Sequence, residues 1–154
     1  MRRLSICMIA LAVLASCRGA GSARLADVPA QAALGAVTLG LEAEAWRNQM
    51  PGPGGPGAND QGLLLTVRVK RIEGAVFASD VRADSAWVVQ GSETWATALA
   101  EHSRDPAGRA IEAGAAGGPR WEPKSTVDVV VSIRDGSGQR ALVASRKVEI
   151  VSAQ

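Results

Sequence analysis

The chain predicts an all-β domain, an antiparallel sandwich of two sheets with about seven strands. Three features of the sequence point there. Apolar and polar residues alternate with period two through several segments, as in half-buried strands. Turn signals rich in Gly, Pro, Asp and Ser separate those segments. No segment pairs helical apolar spacing with helix caps, and no helical crossover of a dozen or more residues is present to join parallel neighbours.

Residues 18–35 are rich in Ala and Gly and read as a tether, with room for a helical turn or two over 26–36. The domain is expected over 36–154. From Val37 the pattern changes: Val37, Leu39, Leu41, Ala43 and Ala45 make one apolar face against Thr38, Glu42 and Glu44. Trp46 falls on the polar side at the end of that strand. Residues 49–62, QMPGPGGPGANDQG, hold too much Gly and Pro for helix or central strand and are predicted as a loop. The next strand places Leu63, Leu65, Val67 and Val69 inward. Its alternation slips at Arg71-Ile72, and Glu73-Gly74 reads as a turn or bulge.

Residues 75–83 are less regular, with Phe77 and Val81 as expected buried anchors. Residues 85–90 and 93–99 form a hairpin whose Gly91-Ser92 connection suits a type II′ turn. Trp87 and Trp95 flank it and are expected as cross-strand neighbours. The stretch 101–125 is the least legible. Residues 109–113 are expected as a short edge strand there, and Gly108 and Gly114 limit any helix. The final hairpin sets Val127, Val129, Val131 and Ile133 on one face, turns at Asp135-Gly136-Ser137-Gly138 and returns over 141–151. Val130 on the second face predicts a strand covered on both sides. Seven short strands, ending in a Trp-bearing loop and a long hairpin, resemble an immunoglobulin-like sandwich. A small β-barrel is the alternative.

The first residues are a separate unit. Met1-Arg2-Arg3 is basic, and residues 4–15 are apolar but for Ser5 and Cys7. That run is shorter than the roughly 20 residues a spanning helix needs, and fits a secretory leader. Leu14-Ala15-Ser16-Cys17 then resembles the lipobox of bacterial lipoproteins. The resemblance implies a signal peptide over 1–16, cleavage between Ser16 and Cys17, and acylation of Cys17. It places the mature protein in the cell envelope, tethered by 17–35. Arg18 after the Cys favours the periplasmic side of the outer membrane in a diderm host. Several acyl chains on one residue anchor firmly where a single chain is marginal.

Composition narrows the chemistry. Seventeen basic and 15 acidic residues leave a net charge of +2, and Arg2 and Arg3 leave with the leader, so the remaining charges balance. A balanced chain argues against a nucleic-acid partner. Both Cys are taken by leader and anchor, so no disulfide, haem attachment or iron–sulfur cluster is expected. One His and no spare Cys argue against zinc. No cofactor is implied.

His102 has Glu101, Ser103 and Asp105 nearby in sequence, yet no G-x-S-x-G elbow exists and neighbours in a loop rarely converge. Asp60, Asp80, Asp84, Asp128 and Asp135 suggest calcium only superficially, because Asp135-Gly136-Ser137-Gly138 lacks the alternating ligands and closing Glu of a calcium loop. No carboxylate pair stands out for glycoside hydrolysis. The loop at 51–57 lacks the Gly-Lys-Ser/Thr ending of a phosphate cradle. Trp46, out of phase with its strand, and Trp121, between two prolines, are the candidate binding residues, since exposed Trp anchors interfaces or stacks on sugars. The expected function is a lipid-anchored, non-enzymatic module that binds another envelope protein. The alternatives are a glycan- or peptidoglycan-binding module that uses exposed Trp, and a periplasmic inhibitor or chaperone.

Overall fold

The computed structural model describes residues 24–49 and 62–153. The leader with Ser16 and Cys17, and the Gly-Pro loop at 50–61 with Asp60, lie outside the described residues. Among the described residues no helix is long and apolar enough to cross a membrane.

The fold is all-β. Its strands are β1 (Gln31–Leu34), β2 (Val37–Asn48), β3 (Leu63–Gly74), β4 (Arg82–Gln90), β5 (Glu93–Ala98), β6 (Ala100–Arg104), β7 (Ala110–Ala115), β8 (Thr126–Arg134) and β9 (Arg140–Ala153). They form one hydrogen-bonded path, β5-β4-β8-β9-β2-β3-β7-β6, with β1 added on β2. The path curls so that side chains from β2, β3 and β7 meet those from β4, β8 and β9 in a single buried cluster. The predicted inward residues fill it: Leu63, Val67 and Val69 on β3 and Val129, Val131 and Ile133 on β8 are all fully buried. Phe77 and Val81 are buried as expected, although only Val81 adjoins a strand. Val130 is also fully buried, on the second face of β8, where it pairs with Trp87 and Ala144.

One pairing departs from the antiparallel expectation. The first part of β9 pairs antiparallel with β8, up to Glu149 opposite Thr126. Its last residues instead run parallel to β2, with Ala45 opposite Ile150 and Trp46 opposite Val151. The need for a crossover applies to any parallel pair, but here the whole domain between β2 and β9 serves as the connection. A bulge marks the change of partner. The register of β8 on β9 shifts between Val127 and Val129, and Lys147 takes φ +54°. Asp128 holds the bulge: its Oδ1 accepts the Lys147 N–H at 3.0 Å and its Oδ2 accepts Arg146 Nη1 at 3.1 Å. A bulge bends and twists its strand, which carries β9 from one half of the sheet to the other.

The expected tether also needs correction. Residues 31–34 are strand β1, paired antiparallel with β2 from Gln31 opposite Gly40 to Leu34 opposite Val37. The strands therefore begin at Gln31 rather than near Val37. Before β1, the Ala144 N–H donates to the Pro29 carbonyl at 2.9 Å. Arg146 Nη2 donates to the carbonyls of Leu25, Ala26 and Val28 at 2.8–2.9 Å. Gln-Ala-Ala-Leu has no alternation to reveal a strand. Its backbone pairs with the adjacent β2, while residues 25–29 before it are held by Ala144 and Arg146, far along the chain.

Two further expectations change. Residues 110–115 do form a strand, but β7 is interior, between β3 and β6, with Ile111 and Ala113 fully buried. The charged β6 takes the edge. Trp87 and Trp95 are not neighbours on one face. The hairpin sets Val88 opposite Trp95 and Trp87 opposite Ala96, so Trp95 packs on the core and Trp87 lies on the other face. Gly91 has φ +58° and Ser92 does not share a positive φ, as a type II′ turn requires.

Ile150 is fully buried where β9 begins its pairing with β2. Ile150→Ala is expected to cost about 2–5 kcal/mol, read as a lower urea midpoint with an unchanged slope. Arg146→Ala is expected to release the segment before β1, so that trypsin cleaves after Arg24 several-fold faster while the far-UV spectrum is retained.

Candidate functional site

The alternation of β2 turns Ala45 and Arg47 inward and Trp46 outward. In register, Trp46 lies between Leu64 of β3 and Val151 of β9. Trp46 and Leu64 are half-buried, and Val151 is 57% exposed. One residue before the first parallel pair on each strand stand Glu44 and Glu149, both exposed. An open groove of about 600 Å³ lies where β2 and β9 come together, lined by Ala43, Trp46, Val148 and Val151 with Glu44 and Glu149.

A second hollow, of about 400 Å³, adjoins Trp46 on its other side and reaches Leu64, Thr66, Ala100 and His102. Gly114 makes that side possible. It pairs with Thr66 and Ala100, and a Cβ placed on it would stand 2.6 Å from the Leu65 carbonyl oxygen and 2.7 Å from His102 Nε2. Only a residue without a side chain fits beside that carbonyl and leaves room for the imidazole over β7. The Trp46 indole thus separates two hollows on one outer sheet face, with an apolar neighbour on each strand beside it and two carboxylates along one groove. Such a surface offers an aromatic anchor and attraction for cationic groups.

Trp121 is not part of this surface. It is only 8% exposed, and its Nε1 donates to Glu93 Oε2 at 2.5 Å. Arg47, itself buried, sends Nη1 to the carbonyls of Arg120 and Trp121 at 3.2 and 3.1 Å. The prolines on either side therefore carry Trp121 across the end of the core rather than out to solvent. Sequence reasoning missed Arg47. Its position in phase with Ala45 was the available signal, and charge argued against an inward reading.

The other candidates are dispersed. His102 lies exposed on β6, and Glu101 beside it is held by Arg104 through two hydrogen bonds of 3.0 and 2.9 Å. Those bonds, with help from the charges of Arg104 and Arg82, hold the Glu101 carboxyl below its ordinary pKa against a smaller opposing effect of burial. Asp105 is lowered by the Ala107 N–H and by Arg109. Asp135 is lowered chiefly by the Ser137 hydroxyl, with the N–H groups of Gln139, Ser137 and Gly138 adding. That carboxylate is spent on its own turn. Asp84 pairs with Arg134 at 3.1 Å and lies 3.7 Å from Arg140. Asp128 is committed to Arg146 and Lys147, and Asp80 packs against Gly136. Among the described residues no three His, Cys, Asp or Glu side chains gather as metal ligands.

No family model matches the chain, and no match was found among curated proteins.

The two tryptophans should separate on substitution. Trp121→Ala is expected to cost about 3–5 kcal/mol of stability, and Trp46→Ala no more than about 1–2 kcal/mol, both read by urea unfolding.

Proposed function

We propose that this is a lipid-anchored envelope protein whose domain is an immunoglobulin-like, non-enzymatic protein-interaction module, and that the Trp46 face is its contact. The observation that carries the reading is the Trp46 indole, set between two hollows and beside Glu44 and Glu149 on an open sheet face. Interface hot spots are enriched in Trp, ringed by contacts that exclude water. The neighbouring carboxylates favour a partner that brings basic side chains among apolar ones.

The strand order supports the immunoglobulin-like reading. Along the path, β2-β3-β7-β6 and β9-β8-β4-β5 follow the order A-B-E-D and G-F-C-C′ of that fold, with chain order preserved. Among the described residues the path ends in two strands, β5 and β6, that a closed barrel would pair together. The chain departs from antibody domains in having no Tyr and no core Cys pair. The lipobox residues support the anchor at Cys17. Six residues lie between Cys17 and Arg24, and the seven steps from one to the other reach at most about 25 Å. An acylated Cys17 would therefore keep the domain close to the membrane surface. The dispersed carboxylates and the exposed His102 support a non-enzymatic reading.

A second reading rests on the same indole. A sugar ring stacks on Trp, and carboxylates accept its hydroxyls, so Trp46 with Glu44 and Glu149 also suits a glycan or peptidoglycan strand.

Cross-linking in intact cells, with the native chain, Cys17→Ser and Trp46→Ala compared by mass spectrometry, tests both. The protein-interaction reading expects one specific envelope partner, captured by the native chain and reduced about 30-fold or more by Trp46→Ala, as an anchor worth about 2 kcal/mol implies. Absence of a protein partner, with retention on peptidoglycan that Trp46→Ala abolishes, would replace it with the glycan reading. Soluble Cys17→Ser beside a membrane-bound native form is the expected outcome for the anchor. A turnover lost on substitution of one polar residue would overturn the non-enzymatic assignment.

A further inference from the structure

Among the described residues, the two end strands of the sheet differ in kind. β6 carries Glu101 and Arg104, and its register on β7 is broken between Glu101 and Ser103. Charges and a bulge are the usual protections of an edge strand. β5 carries a charge only at its first residue, Glu93, and has no bulge. Residues 94–99, Thr-Trp-Ala-Thr-Ala-Leu, hold no charge and no Pro, and β5 pairs with β4 without a register shift from Gln90 opposite Glu93 to Ser85 opposite Ala98.

The register shows which backbone groups are open. In a hairpin with a two-residue turn the flanking residues, here Gln90 and Glu93, face each other as a hydrogen-bonded pair, and such pairs recur at every second residue. The Leu99 N–H donating to the Asp84 carbonyl at 3.1 Å continues the same series. Glu93, Trp95, Thr97 and Leu99 therefore turn their backbone groups to β4, and Thr94, Ala96 and Ala98 turn theirs away. All three of these outward residues are exposed.

We propose that the β5 edge pairs with β5 of a second copy of this chain, antiparallel about a two-fold axis at Ala96. In that register Ala96 faces its own mate and Thr94 faces Ala98. Each facing pair exchanges two backbone hydrogen bonds, because these residues turn their N–H and C=O groups away from β4, the Ala98 carbonyl accepting the Thr97 hydroxyl at 3.2 Å with its second lone pair left for the mate. The side chains are self-complementary. Thr94, Ala96 and Ala98 are small and uncharged, Trp95 meets Thr97 on the other face, and Glu93 meets Leu99, so no like charges oppose. A foreign strand would gain nothing from this neutrality that a second copy does not. A two-fold contact is closed and stops at the dimer, which an unprotected edge otherwise does not guarantee. One strand pair buries less than the roughly 1,200 Å² of a stable interface, so the dimer is weak in dilute solution.

Mild oxidation of the purified full chain tests the register. In a narrow antiparallel pair the α-carbons lie about 5.5 Å apart, within disulfide range. Ala96→Cys is expected to give a covalent dimer about tenfold more readily than the parent chain, which controls for Cys7 and Cys17. Thr94→Cys alone sits four residues from its mate and is expected to stay at the parent level, while Thr94→Cys mixed with Ala98→Cys links. Sedimentation of the parent up to about 1 mM, the affinity range of a small interface, is expected to show reversible dimer. Ala96→Lys, which sets two ammonium groups face to face at an exposed position, is expected to abolish it with the same urea midpoint. The proposal is overturned by a parent that stays monomeric throughout, by Thr94→Cys linking as well as Ala96→Cys, or by Ala96→Cys linking in cells to a different protein and not to itself.

Discussion

Asp128 stands where β9 changes partner. Its two carboxylate oxygens hold the Lys147 N–H and the Arg146 guanidinium, at the point within β9 where Lys147 is left-handed. Because β9 bends there, its last four residues leave β8 and lie parallel to β2. Because Arg146 is turned by the same carboxylate, its other nitrogen meets the carbonyls of Leu25, Ala26 and Val28 and fastens the start of the domain. One side chain thus links the sheet's two halves and its N-terminal segment.

The groove beside Trp46 is a product of the same bend. β1 fills the space between β2 and β9 near Gly40, and the parallel ladder closes it from Ala45 onward. Residues 43–44 of β2 and 148–149 of β9 lie between these two closures and line the groove. Strand alternation then decides the chemistry. Ala45 and Ile150 go to the core, while Trp46, Val151, Glu44 and Glu149 go to the outer face. A surface aromatic is held this firmly because its strand is interior, paired on both sides.

The core was readable because burial on one face forces period two. Leu63 to Val69 and Val127 to Ile133 show that pattern, and the structure buries the residues it marks. Trp46 was readable for the same reason, as an aromatic out of phase. The opposite faces of Trp87 and Trp95 were also within reach. A two-residue turn pairs Trp95 with Val88, and one residue of offset moves a side chain across the sheet. Trp121 was not readable, since its burial depends on Glu93 and on Arg47, 74 residues away along the chain. The strand β6 was hidden by its charge, and β1 by the lack of any alternation.

By itself the sequence determined that the chain is all-β, where its main hairpins turn, and which side chains enter the core. It did so because alternation and turn residues are local, each legible within a few positions. Only the tertiary structure decided that the last strand runs parallel to β2, that residues 24–34 belong to the domain, and that Trp46 and not Trp121 faces outward beside two carboxylates. Those outcomes depend on contacts between distant segments, whose register no local pattern records.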